Sequence, residues 1–251
     1  MSRVVFTFGR FNPPTIGHEK LITAVANQAG RDDYLIFPSH SQDKKKNPLD
    51  SKTKSDFMKL MFPRHKDHIV YDTSIKTPIH VLQHLQGTYE NITMVVGSDR
   101  VASFTGMLTK YNGVEYTFRN IEVVSAGERD PDADGAEGMS ASKMRAAACQ
   151  SDFNAFRSGI PSTVSDKKCK ELMDTIVKIM LWETLERLKR RQTSNGSAWK
   201  RFINQEIWYL IPIQGRKEEY IVLVLIMLLL SLRVVICSVL GYLTFVKYKR
   251  L

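Results

Sequence analysis

The sequence predicts an α/β protein built on a doubly wound, parallel five-stranded sheet, with C-terminal helices and an apolar tail after it. Two observations carry this expectation. Short apolar runs bounded by turn residues recur at RVVFTF (3–8), DYLIF (33–37), HIVY (68–71), ITMVVG (92–97) and NIEVVS (120–125). Between them lie segments long enough for helices, at 16–29, 53–62, 77–87 and 99–110. Strands buried on both faces that alternate with helices form βαβ units, and such units make a parallel sheet covered on both sides.

Taken in order, the N-terminal MSRVVFTFGR breaks its apolar run after a few residues and shows no small-residue cleavage site, so it reads as a first strand rather than a signal peptide. A Rossmann-like sheet of this kind takes its ligand at the carboxyl ends of the strands, which puts FGRFNPPTIGH (8–18) at the mouth. Past the fifth run, AGERDPDADGAEG (126–138) reads as an acidic loop. Its DPDADG suggests an EF-hand, but the twelfth position holds Ala141 instead of Glu and the second holds Pro131, so calcium is not expected. MSASKMRAAA then reads as a capped helix start. From 165 to 191, Leu172, Ile176, Ile179, Met180, Leu181, Leu185 and Leu188 fall at helical spacing, an amphipathic helix with a basic end. QTSNGS (192–197) reads as linker.

The last segment differs in kind. Residues 221–246 carry one charge, Arg233, in 26 positions and are followed by KYKRL. Eighteen Val, Ile, Leu and Phe residues favour insertion into lipid by about 5 to 11 kcal/mol at most, against about 3 for the arginine. As a helix the segment would reach about 39 Å, enough for a tilted span. The expected organisation is a domain at 1–160, an amphipathic helix at 161–191, a linker at 192–219 and a candidate transmembrane segment at 220–246, with the domain in the cytosol. A buried core segment and a fused addition from about residue 195 are the other readings.

Composition agrees with a folded protein: 251 residues, 43% hydrophobic and 25% charged. The net charge of +10 is not a nucleic-acid signal once located. Residues 1–160 carry 20 Lys and Arg against 18 Asp and Glu, whereas 161–251 carry 16 against 8. Cys149, Cys169 and Cys237 lie far apart with no CxxC spacing, so neither disulfides nor a thiolate metal site is expected.

The first strand-to-helix turn carries the chemistry. Gly9 permits a tight turn and close approach of a ligand, and Pro13 and Pro14 stiffen the connection. Thr15 and His18 point the same way from the opening turn of a helix, whose positive end suits a phosphate. Each residue alone has a bland reading, as turn, N-cap or surface histidine. G-x-F-N-P-x-T-x-G-H nevertheless fixes seven positions together.

That stretch resembles the first signature of the (H/T)xGH nucleotidyltransferases, which include nicotinamide- and nicotinate-mononucleotide adenylyltransferases, phosphopantetheine adenylyltransferase and cytidylyltransferases. MSASKMR (139–145) resembles their ISxTxxR signature, with Met139 for Ile and Ser142 for Thr, and VVGSDR (95–100) resembles the GxD segment of their fourth strand. The FNPxT form is closest to the mononucleotide adenylyltransferases, and phage-encoded proteins have a similar opening. Cytidylyltransferases usually show FDxxHxGH.

The resemblance implies transfer of AMP from ATP to a phosphate-bearing acceptor such as nicotinamide mononucleotide, with release of pyrophosphate and with Mg²⁺ bridging the triphosphate. It implies that His18, Thr15 and Arg145 are catalytic. Gly9, Arg10, Phe11, Gly17, Gly97, Asp99, Ser140 and Ser142 would bind nucleotide, and Lys44 and Lys46, of the run Lys44, Lys45 and Lys46, would meet substrate phosphate. No protein metal ligands are expected. A cytidylyltransferase, or a nucleotide-binding membrane or assembly protein without turnover, are the competing readings.

Overall fold

A computed structural model describes residues 2–43, 45–127 and 140–192, with side chains described as far as 180. Of the two units into which the chain divides, Met1–Lys189 and Arg190–Leu251, the first contains everything considered below. The apolar stretch 220–246, the linker, the acidic loop 128–138 and Lys44 lie outside the described residues. Among the described residues no helix is long and apolar enough to cross a membrane.

Strand β1 (Arg3–Gly9) leads to α1 (Ile16–Ala29), β2 (Asp33–Pro38) and α2 (Ser51–Met61). After a 3₁₀ turn at Pro63–His68 come α3 (Pro78–Leu85), β3 (Asn91–Val96) and α4 (Val101–Tyr111), then β4 (Asn120–Ser125) and the helices α5 (Ala141–Cys149), α6 (Phe153–Ser158) and α7 (Asp166–Gln192). The strands pair in the order β2-β1-β3-β4, all parallel.

The sheet therefore has four strands and not five. HIVY is the segment that fails. Pro63 opens a 3₁₀ turn that still holds His68, and the main-chain pairing with β2 is a single bridge, Ile69 to Ile36, with the Val70 amide donating to the Ile36 carbonyl at 2.9 Å. Two apolar residues between a polar turn and Tyr71-Asp72 do not extend into a ladder. The strand that carries VVGSDR is in consequence the third in the chain.

Alternation along the strands sends side chains to two layers. Val4, Phe6, Ile92, Met94 and Val96 pack with Val81, Leu82 and Leu85 of α3 and Leu108 of α4. On the other face Val5 and Val95 meet Val25 and Ala29 of α1. A further core, around Ile36 and Phe11, takes in Ile22, Met58, Met61, Met144, Ala148 and Phe156. Helix α7 joins it through Cys169, Leu172, Met173, Ile176 and Val177, one stripe of helical period, whose burial contributes about 1.5 to 3 kcal/mol per large side chain. α6, which the sequence reading does not place, is capped by Asp152 accepting from the Ala155 amide.

Candidate functional site

Chain leaves β1 at Gly9 and turns at once. A Cβ there would lie 2.8 Å from Cε2 of the Phe11 ring, so glycine is required by packing. Phe11 is itself buried with φ 44°, a left-handed conformation that costs a non-glycine residue on the order of 1 kcal/mol and persists because its surroundings hold it. Asn12, 2% exposed, then clamps the segment after β2: Nδ2 donates to the Leu49 carbonyl at 2.9 Å and Oδ1 accepts from the Leu49 amide at 3.0 Å.

Thr15, 1% exposed, is the N-cap of α1, and His18 is half-buried three residues on. The Thr15 amide donates to His18 Nδ1 at 3.0 Å, and Thr15 Oγ1 lies 3.1 Å from the same nitrogen. With Nδ1 accepting, the proton of the neutral ring sits on Nε2. The Phe11 ring meets the imidazole edge to face, with centroids 5.0 Å apart. The helix end offers fewer amides than the sequence suggests. The Ile16 amide is taken by the Gly159 carbonyl at 2.9 Å and that of His18 by the Thr15 carbonyl at 2.9 Å, so among the described residues the first-turn amide that remains to meet a ligand is that of Gly17.

Helix α5 brings the second signature to the same turn. Ser140 caps it by accepting from the Lys143 amide at 3.2 Å, and its hydroxyl lies 2.9 Å from that of Ser142. One turn on, the half-buried Arg145 donates from Nη1 to the Asn12 carbonyl at 2.7 Å. Its pKa is lowered by burial first and then by the neighbouring Arg10, with Asp43 pulling the other way. An arginine keeps its charge regardless, so the mouth holds two guanidinium groups close together, a field that favours an anion.

The loop after β2 forms the facing wall. Asp43 and Asn47 close a turn through paired main-chain bonds of 3.0 and 3.1 Å, and the Asp43 carboxylate accepts from the amides of Lys45, at 3.0 Å, and Lys46, at 2.6 Å. The side chains of Lys45 and Lys46 are exposed. Behind the loop, Lys54 of α2 is fully buried and donates to the Ser39 carbonyl, while the Ser39 amide donates to the Gly9 carbonyl at 2.7 Å. Burial pushes the Lys54 pKa down to about 8, partly offset by Asp50. The hydroxyls of Ser39 and Ser55 are buried beside it with no partner among the described residues.

Gly97 and Asp99 follow β3, at the carboxyl edge of the sheet, and Asp99 is exposed with Arg100 3.9 Å away. The N-cap of that 3₁₀ turn is Gly97, so Asp99 is not a cap. β3 lies beside β1, so both residues stand at the same carboxyl edge as the turn after β1. Thus the structure brings Gly9, Arg10, Phe11, Thr15, His18 and Arg145 together, with Asp99 just past the end of the neighbouring strand β3. Asn12 and Lys54 are what sequence reasoning misses: Asn12 stood inside the motif, but nothing in the sequence pairs it with Leu49, and nothing in SKTKSDF sets the buried Lys54 apart from the exposed Lys52.

Residues 6–147 match a family model described as cytidylyltransferase-like. A protein of Sulfurimonas denitrificans described as a probable nicotinate-nucleotide adenylyltransferase is 28% identical over 108 residues, 41% of this chain and 59% of its own length. The chain thus spans somewhat over half of that curated relative. Among solved structures, Plasmodium falciparum nicotinic acid mononucleotide adenylyltransferase complexed with NaAD is 13% identical, covered over 98% of its length and 73% of this chain, with a TM-score of 0.46. The bifunctional NMN adenylyltransferase/ADP ribose pyrophosphatase of Francisella tularensis, also 13% identical with a TM-score of 0.46, covers 78% of this chain and is covered over 58% of its own. Likenesses this loose say nothing of chemistry. The family match does not depend on them: it spans over half of the chain, runs from β1 through Arg145, and places this protein in the cytidylyltransferase-like family.

Proposed function

We propose that the protein transfers a nucleotidyl group, AMP from ATP, to a phosphate-bearing acceptor of the nicotinate or nicotinamide mononucleotide type, releasing pyrophosphate. The observation that carries this reading is the meeting of two motifs 133 residues apart, with Arg145 bonded to the Asn12 carbonyl in the turn that leads to Thr15 and His18. An acceptor phosphate oxygen, already anionic at neutral pH, attacks the α-phosphorus. The new P–O bond forms as the bond to the bridging α,β oxygen breaks, and pyrophosphate leaves with that electron pair. Such a displacement needs no general base and no covalent nucleophile, only alignment and charge stabilisation.

In this reading His18 donates from Nε2 to an α- or β-phosphate oxygen, and Thr15 fixes the tautomer that makes this possible. Gly9, Arg10, Phe11 and the Gly17 amide line the nucleotide, Ser140, Ser142 and Arg145 hold the β- and γ-phosphates, and Gly97 and Asp99 border the site at β3. The lysine turn, with Lys45 or Lys46, meets the acceptor phosphate. The donor set is cationic, and Asp43, the carboxylate that acts on Arg145, spends its oxygens on amides and on Asn47, so a Mg²⁺ would be held by the nucleotide's own oxygens. When bound it supplies charge neutralisation on the triphosphate. Asn12 where cytidylyltransferases usually carry Asp, and the Sulfurimonas relative, favour ATP over CTP. Attachment to a membrane through 221–246 rests on sequence alone.

Full-length protein offered ATP or CTP with nicotinate mononucleotide, nicotinamide mononucleotide or a phosphorylated alcohol is expected to release pyrophosphate with ATP and a mononucleotide. His18→Ala should lower kcat by about 100- to 1,000-fold, the usual loss for one donor to a developing oxyanion. Turnover with CTP and a phosphorylated alcohol alone would reverse the nucleotide assignment. Undiminished turnover by His18→Ala would remove the histidine from the mechanism.

A further inference from the structure

Three ties converge on Asn12. Its amide bonds both main-chain groups of Leu49, at 2.9 and 3.0 Å, and its own carbonyl accepts from Arg145 at 2.7 Å. Leu49 is fully buried and is joined to the turn Asp43–Asn47 through Pro48. Because Asp43 takes the amides of Lys45 and Lys46, these two residues meet an anion through their side chains, whose reach is set by where the turn sits. Asp43 also lies near enough for its charge to act on Arg145. One buried residue thereby joins the wall that carries the lysines to the arginine on α5.

We propose that Asn12 is a positioning residue that holds the lysine turn at a fixed distance from Arg145, so that the acceptor phosphate lies in line with the triphosphate. The inference rests on the nucleotidyl-transfer reading. In-line attack requires reacting atoms about 3 to 3.5 Å apart, and a displacement of about 1 Å costs on the order of 100-fold in rate. Apolar packing of Leu49 alone would leave the turn free to slide along the core. Paired bonds to its amide and carbonyl fix both position and orientation, and replacing them would leave two buried main-chain groups without partners.

Asn12→Ala separates the two ties, since alanine keeps the carbonyl that Arg145 binds and loses only the clamp on Leu49. The expected result is a KM for nicotinate mononucleotide raised about tenfold or more, with the Kd for ATP within about threefold of wild type. Asp43→Ala releases the same turn from its exposed end, and the part-buried bond it gives up is the one from Asn47 Nδ2. It should give the same split even if Asn12→Ala folds poorly, and in the double variant the two effects should multiply to less than their product. Acceptor KM unchanged in Asp43→Ala and in folded Asn12→Ala overturns the proposal. So does a parallel loss of ATP and acceptor affinity that tracks a fall in Tm, because that is what a merely structural role gives. Wild-type protein that binds ATP yet releases no pyrophosphate with any acceptor overturns the transfer reading itself, and this inference with it; active wild type with unshifted variants overturns this inference alone.

Discussion

A methyl group on Gly9 would press on Cε2 and Cζ of Phe11, at 2.8 and 3.0 Å, and neither partner can easily give way. Phe11 is packed in the core at φ 44°, so its ring cannot swing out without emptying that core. Gly9→Ala should therefore cost about 1 to 3 kcal/mol of stability by overpacking, read as a lower urea midpoint, and should weaken ATP binding as the turn shifts. A variant as stable as wild type would show that the ring is not held. At this scale the sequence was legible where a residue's role is local. Thr15 and His18 are three apart and bond each other, as their spacing implies. The partner of Asn12 is 37 positions away, and the left-handed conformation of Phe11 is one that no propensity favours, so neither could be read in advance.

Helix α2 shows how an element can conceal its buried face. Six polar residues precede its first aromatic, yet Lys54 and Ser55 are buried and only the outer side meets solvent. The consequence is a pH dependence. Lys54 titrates at about 8 in the folded protein and at its ordinary 10.5 in the unfolded chain. Between these values the unfolded chain holds a proton that the folded protein lacks, so this group adds stability as pH rises through that window. Cys169, raised to about 11, and Tyr116, raised to about 12, act in the opposite sense above about pH 9, so the effect is best read as wild type minus Lys54→Met. Urea unfolding at pH 7.5 and at pH 10 should show that difference moving in favour of wild type by up to about 3 kcal/mol. A difference that stays flat would mean that Lys54 is neutral, or solvated, throughout. Element types were otherwise legible from period and length: α1 spans the residues its pattern marks, 16–29. HIVY was misread because two apolar residues after a proline-initiated turn look like a short strand until a ladder is required of them.

For the whole molecule, the alternation of apolar runs with helical segments was enough to give a parallel sheet with helices on both faces, because each βαβ unit can bury its apolar sides in essentially one way. It was not enough to count the strands. The location of charge was informative too: the near-neutral first 160 residues hold a mouth whose cations are concentrated by folding, through Arg10, Arg145 and the lysine turn, although their composition shows no excess. The convergence of β1, the loop after β2 and α5 on one point was implied by the resemblance alone and not by pattern or spacing, since it depends on bonds between residues far apart in the chain. The account stands on that convergence. A crystal structure of the full chain with a non-hydrolysable ATP analogue is the measurement that meets it most directly. The triphosphate should lie between the Thr15–His18 turn and the start of α5, with phosphate oxygens within hydrogen-bonding distance of His18 Nε2 and of the Arg145 guanidinium. An analogue seated elsewhere, with His18 turned away from every phosphate, would contradict it.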